Sequence, residues 1–193
     1  MEAKLNEQTA GARTVSNARA GETTTAHEVG AGLSALGVVR LLLLGIWLGS
    51  AIFFSFAVAP SAFAVLPARE LAGAIVTRTI GIVNVGGSLI GLLLLATALV
   101  GRSMAAKRAW TLEVIALALL VLATGVGHWV ISARMLALRL SMGRPIDDVA
   151  QNDPLRLAFN NLHGYSVAAM IVAMLAGLVA FILIARRNKK SGV

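Results

Sequence analysis

The chain has 193 residues, 58% of them in the hydrophobic set and 13% charged, against roughly a quarter charged in an ordinary soluble domain. A mean hydropathy of +0.81 excludes a soluble globular domain, a disordered chain and a fibrous repeat. The absence of cysteine excludes a disulfide scaffold, a thiolate metal site and a cysteine nucleophile, so what remains is a small basic membrane protein of net charge +8.

Residues 1–32 form a polar, mixed-charge tail with no aromatic residue and no helical apolar period. Such a segment cannot bury enough apolar surface to offset the entropy of ordering it, so it reads as disordered. It precedes a full-length apolar span rather than the short core of a signal peptide, so the first helix is expected to be retained.

From residue 33 to residue 187 the chain reads as an all-α membrane protein, a four-transmembrane-helix bundle, followed by a basic tail over 188–193. The spans are expected at about 36–59, 79–101, 111–134 and 163–185. A helix rises about 1.5 Å per residue and a hydrocarbon core is about 30 Å thick, so roughly 20 apolar residues cross it. Backbone groups in lipid must bond within the segment, which selects helix over sheet. Small residues one turn apart fit close helix packing: Gly45 and Gly49, Gly87 and Gly91, then Ala169, Ala173 and Gly177.

Proline and aspartate punctuate the connections. Pro60 and Pro67 are expected to break the segment after the first span, with a short interfacial helix running from Pro67 towards Gly81. The stretch RMLALRLSM, from Arg134, reads as a helical extension of the third span. Asp153-Pro154 supplies an N-cap and a first-turn proline, so the fourth helix starts about two turns before the bilayer.

Lysine and arginine near the span ends set the orientation. With the amino terminus inside, Arg40, Arg102, Lys107, Arg108, Arg186, Arg187, Lys189 and Lys190 lie on the inner side. Arg69, Arg78, Arg134, Arg139, Arg144 and Arg156 lie on the outer side, diluted over longer loops. Both termini are therefore expected in the cytoplasm, in a cell (inner) membrane. The positive charge is a topology signal and an attraction to anionic lipid rather than a nucleic-acid footprint. Trp110 sits at the inner interface and Trp129 and Tyr165 near the outer one, while Trp47 lies deeper and packs.

Polar groups inside spans are costly and so are candidates for function. Asn84 and His128 each lie five residues from the outer end of their spans, and His163 stands at the outer mouth of the fourth. Arg156, Asn160 and His163 share a helix face, Ser166 lies within a turn of His163, and Arg78 and Arg134 guard the outer ends of spans two and three. His128 and His163 are the candidate metal ligands; two imidazoles also suffice for haem. Met135, Met142, Met170 and Met174 suit soft copper, although methionine is also ordinary membrane packing. Glu113 is expected at the inner surface near Arg108 or Lys107, without a special role. The chain carries no HExxH, CxxC, Walker loop or dinucleotide fingerprint. No enzyme activity is therefore expected, and no cofactor is the first expectation, with metal or haem as alternatives.

Two stretches carry a resemblance. GSAIFFSFAVAPSAFAVLP, from Gly49 to Pro67, resembles the first-helix signature of the domain of unknown function 4149 family, typified by transmembrane protein 205. DPLRLAFNNLHGYS, from Asp153 to Ser166, resembles that family's Phe-x-x-Leu-His-x-x-Ser motif before the last helix. The matching residues are Phe53, Pro60, Phe159, Leu162, His163 and Ser166; where the family commonly has an asparagine four residues after the serine, this chain has Met170. The family is similar to the transmembrane domain of copper-resistance D proteins, which implies a link to metal or drug tolerance.

Three readings compete. The first is metal or small-solute handling through the outer polar cluster. The second is a haem-binding oxidoreductase component with His128 and His163 as axial ligands. The third is a scaffold or partner subunit packing through its small-residue faces. The expected partners are the lipid bilayer and a second copy or another membrane protein.

Overall fold

The structure, a computed structural model, describes residues 35–100 and 107–191. The expectations of a disordered tail over 1–32, and of the last residues of the basic tail, fall outside them. Four helices make up the described chain: α1 (Ala35–Val65), α2 (Arg69–Val100), α3 (Lys107–Met142) and α4 (Pro154–Ser191). Each is long and apolar enough to cross a membrane. The fold is the all-α four-helix membrane architecture that the hydropathy requires, and the helices run past the expected spans because stop signals, not the end of apolarity, terminate them.

Those stops are local. Leu66 leaves the helical region after α1, Gly143 ends α3 with a φ of 62°, and the Asp153 carboxylate accepts the Leu155 N–H at 2.8 Å to start α4. The left-handed conformation at Gly143 is one that side chains with a Cβ adopt at a cost. Beyond it a single 3₁₀ turn, Ile146–Asp148, leads to α4. The Arg156 guanidinium bonds the Val149 carbonyl and tethers that connection to the new helix.

Two expectations about prolines are corrected. Pro60 does not break the first helix. A π-helical turn over Phe54–Val58 precedes it, with the Ala59 N–H bonded to Phe54 O. The wider register absorbs a residue that cannot donate and whose ring would crowd the carbonyl four back. Nor does a separate interfacial helix succeed Pro67. α2 runs unbroken from Arg69, because no proline lies between Arg69 and Gly81 and Gly73 is buried against α3.

The interior is built from Leu44, Trp47, Leu94, Leu117, Leu120 and the small residues Ala173, Ala176 and Ala180. Large aliphatics such as Ile46, Ile82 and Leu122 face outward at 63–67% exposure. That outward surface suits lipid, where apolar groups lose nothing by exposure. The small-residue faces act unequally. A Cβ on Gly87 would stand 2.6 Å from Trp47 Nε1 and 2.8 Å from Thr124 Cγ2, and one on Gly91 would stand 2.6 Å from Val121 Cγ2. Around Gly49 there is nothing within 4 Å. Trp47 is buried as expected, and its indole donates to Val83 O at 2.9 Å, tying α1 to α2.

Glu113 is the third correction. It is 1% exposed, inside the bundle, not on its inner surface. Its carboxylate accepts from Arg40 at 2.5 Å and from Arg187 at 3.3 Å, while Arg40 also donates to Leu94 O at 3.3 Å. One acid therefore joins α1, α3 and α4, with α2 reached through a carbonyl. A carboxylate this deep needs cations that penetrate equally far, and Lys107 and Arg108 are exposed. Nearby, a Cβ on Gly37 would lie 2.6 Å from Asn188 Oδ1. The start of α1 and the end of α4 therefore share one end of the bundle.

Candidate functional site

At the opposite end the four helices part around a cavity of about 530 Å³. On its α1 wall, Phe54, Ser55 and Phe56 come from the π turn, and Ala59, Pro60 and Phe63 from the helix beyond it. The contribution of α2 is Val76, Thr77 and Ile80. On α3, Ser132, Met135, Leu136 and Arg139 recur at the spacing of a single helical face, and on α4 His163, Ser166, Met170 and Met174 do the same. At about 1.5 Å per residue the α4 stripe is roughly 16 Å deep.

The lining is largely apolar, and two of its four hydroxyls are satisfied locally. Ser55 donates to Ala51 O at 2.8 Å, and Ser132 to Gly127 O at 2.9 Å across the second π turn, Val126–Ser132. The side chains of His163, Ser166 and Arg139 make no hydrogen bond or ion pair to another described residue. Phe56, Phe63 and Leu136 lie on the rim with 49–76% of their surface exposed. The cavity therefore opens towards the surroundings of the bundle through apolar side chains.

The residues singled out in the sequence divide into two groups. His163 and Ser166 line the cavity. Asn84 and His128 lie instead at the contact of α2 with α3. Asn84 is 3% exposed and packs on Gly127, whose added Cβ would stand 3.2 Å from Asn84 Nδ2. His128 sits over Gly81, edge-on to Trp129 at 5.1 Å, with its buried Nδ1 unpartnered. Just below, Ser88 and Thr124 hydroxyls bond at 2.9 Å. Arg78, Arg134 and Asn160 are exposed. No hydrogen bond joins His163 to Asn84 or His128 among the described residues, and no group of three or more His, Asp or Glu is placed to hold a metal there.

Arg139 is the residue that sequence reasoning passed over, counting it only as an outer-side charge. It lines the cavity with its guanidinium carbon 5.1 Å above the Phe159 ring. A Cβ on Gly73 would fall 2.8 Å from its Nη2, so the guanidinium lies directly against the α2 backbone. The available signal was its place four residues after Met135 and seven after Ser132, at the end of an otherwise apolar stripe.

The family model for a domain of unknown function (DUF4149) matches residues 42–144, more than half of the chain. The chain belongs to this family. The matched DUF4149 segment contains the Gly49–Pro67 stretch, α2 and all of α3, so three of the four cavity walls lie inside it. The Asp153–Ser166 stretch lies beyond its end. No curated protein and no solved structure matches the chain.

Proposed function

We propose that this DUF4149 protein binds a small apolar or amphipathic solute within the membrane, in the cavity at the end of the bundle away from the termini. One observation carries the reading: all four helices contribute to a single, largely apolar cavity of about 530 Å³, within the 300–1,000 Å³ usual for small-molecule sites. Two of its walls are shaped by π turns, a deviation common at functional positions.

The residues fit a solute better than a metal or haem. Bis-imidazole haem would need His128 and His163 on one space, and His128 is outside the cavity lining. A copper ion held by His163 and the methionines would fill a small part of the volume. With the termini cytoplasmic, as the lysine and arginine distribution favours, the cavity belongs to the outer half of the membrane.

The test is retention of isotopically labelled hexadecanol by the protein in phosphatidylcholine nanodiscs, compared with empty discs of equal lipid content. Retention above the empty discs is expected, lost in Ser166→Phe, which fills the cavity, with the thermal midpoint unchanged. Equal retention by protein and empty discs sinks the solute reading. Stoichiometric copper or a Soret band in the purified protein would replace it with a metal or haem role.

A further inference from the structure

The cavity is largely apolar, its charged group stands at its outer end, and that charge is unmatched among the described residues. Arg139 is half-buried, lines the cavity, and has no carboxylate within ion-pair distance among the described residues. Buried or half-buried cations in a low-dielectric setting are normally paired. Here Phe159 supports one face of the guanidinium and the backbone at Gly73 lies close to its Nη2. Such stacking is a known way of holding arginine in place, and the Arg139 N–H groups have no acceptor among the described residues. Among the described residues no aspartate or glutamate lines the cavity, and the second ionisable side chain there is His163, also without a hydrogen-bond partner among them.

Below these groups the lining is mostly apolar, with Phe54, Val76, Ile80, Met170, Ile171 and Met174 beside the hydroxyls of Ser55, Thr77, Ser132 and Ser166. Methionine and phenylalanine make an adaptable apolar wall rather than a shape-specific one. A cavity with a held cation at its mouth and a deep, adaptable apolar interior is complementary to a molecule with one anionic head and one hydrocarbon tail.

We propose that the cavity holds a single-chain anionic amphiphile, its carboxylate or phosphate accepting from Arg139 and its acyl chain running inward along the α4 stripe. The volume suits one chain rather than the two of a membrane phospholipid, and the exposed Phe56, Phe63 and Leu136 on the rim give a chain an apolar route in from the bilayer. The proposal rests on the solute reading above and narrows it to a chemical class. Arginine matches the planar, bidentate geometry of both heads, so free fatty acids and monoacyl phosphates share the required chemistry.

The experiment compares labelled palmitate, lysophosphatidate and hexadecanol on the full chain in phosphatidylcholine nanodiscs. Wild type should retain at least one of the two anions about tenfold to a hundredfold better than hexadecanol, as a charge-assisted hydrogen bond supplies. Whichever anion is held better identifies the head. Arg139→Gln should bring the anions down to the level of hexadecanol with the thermal midpoint of the protein unchanged. Arg139→Lys, which keeps the charge, should restore part of the preference and so separates loss of the ion pair from loss of the fold. Retention of anion and alcohol to the same degree, with both lost in Ser166→Phe, overturns the anionic assignment and leaves the solute reading standing. Retention of none of the three overturns both.

Discussion

Single residues decide how closely these helices approach, and the glycines show it most directly. Gly87 faces Trp47 and Thr124, so an added methyl must displace a buried indole whose N–H is bonded to Val83 O. Gly87→Ala should therefore cost about 1–3 kcal/mol, the usual range for overpacking a filled interior. Gly49→Ala, with open space around it, should be neutral; thermal unfolding of the two variants in detergent compares them directly. Equal midpoints would mean that α1 and α2 separate more easily than the Trp47 hydrogen bond implies. Glu113 carries the other large single-residue effect. Glu113→Gln leaves Arg40, 5% exposed, without its counter-ion, and should cost about 3–5 kcal/mol. The double variant Arg40→Met/Glu113→Leu should recover most of that loss, since Arg187 is partly exposed and its long side chain can reach water. The depth of Trp47 was legible because no interface lies near it in sequence. The pairing of Glu113 was not, because its partners are 73 and 74 residues away and a linear reading favours neighbours.

At the scale of elements, local signals were read well where they act through one hydrogen bond and poorly where the backbone changes register. Asp153-Pro154 announces the start of α4, and the carboxylate caps the Leu155 N–H as expected. Asp153→Ala should lower stability by about 0.5–2 kcal/mol while Asp153→Asn leaves it nearly unchanged; a matched loss in both would point to charge rather than capping. Pro60 was misread because a proline inside a helix ordinarily removes a bond and crowds the preceding turn. The π turn over Phe54–Val58 had already opened that turn, and no residue pattern announces a π turn. Pro60→Ala should consequently change the unfolding midpoint little. Leu95→Pro, within regular helix, should cost about 3 kcal/mol or more. A large gain in stability for Pro60→Ala would show that the π turn is forced by the proline at a cost.

The whole molecule was legible as four spans because each combines the length and the apolarity that crossing requires. The cavity was not, because it depends on which faces of four helices meet. His163 and Ser166 were found from polarity within one helix, whereas Arg139 needed its contacts with Phe159 and Gly73, on two other helices. Those contacts also give orientation a functional meaning. Gly37 and Asn188 lie together at one end, and the Ile146–Asp148 turn connects α3 to α4 at the cavity end. The side of the membrane that holds the turn is therefore the side that holds the cavity.

Around the cavity end, the six arginines Arg69, Arg78, Arg134, Arg139, Arg144 and Arg156 share their surroundings with Glu70, Asp147, Asp148 and Asp153, and Arg69 reaches Asp147 at 3.6 Å. The other end concentrates Lys107, Arg108, Arg186, Lys189 and Lys190 close to the span ends. The positive-inside rule counts basic residues in such short segments and supports the proposal that this end is cytoplasmic. The chain has no native cysteine, so single cysteines report the arrangement without background. Ile146→Cys should react with a membrane-impermeant maleimide in intact cells, while Ser103→Cys and Ser191→Cys should react only after the membrane is opened. The reverse pattern would invert the bundle, and an anionic amphiphile would then reach Arg139 from the cytoplasmic leaflet instead of the outer one.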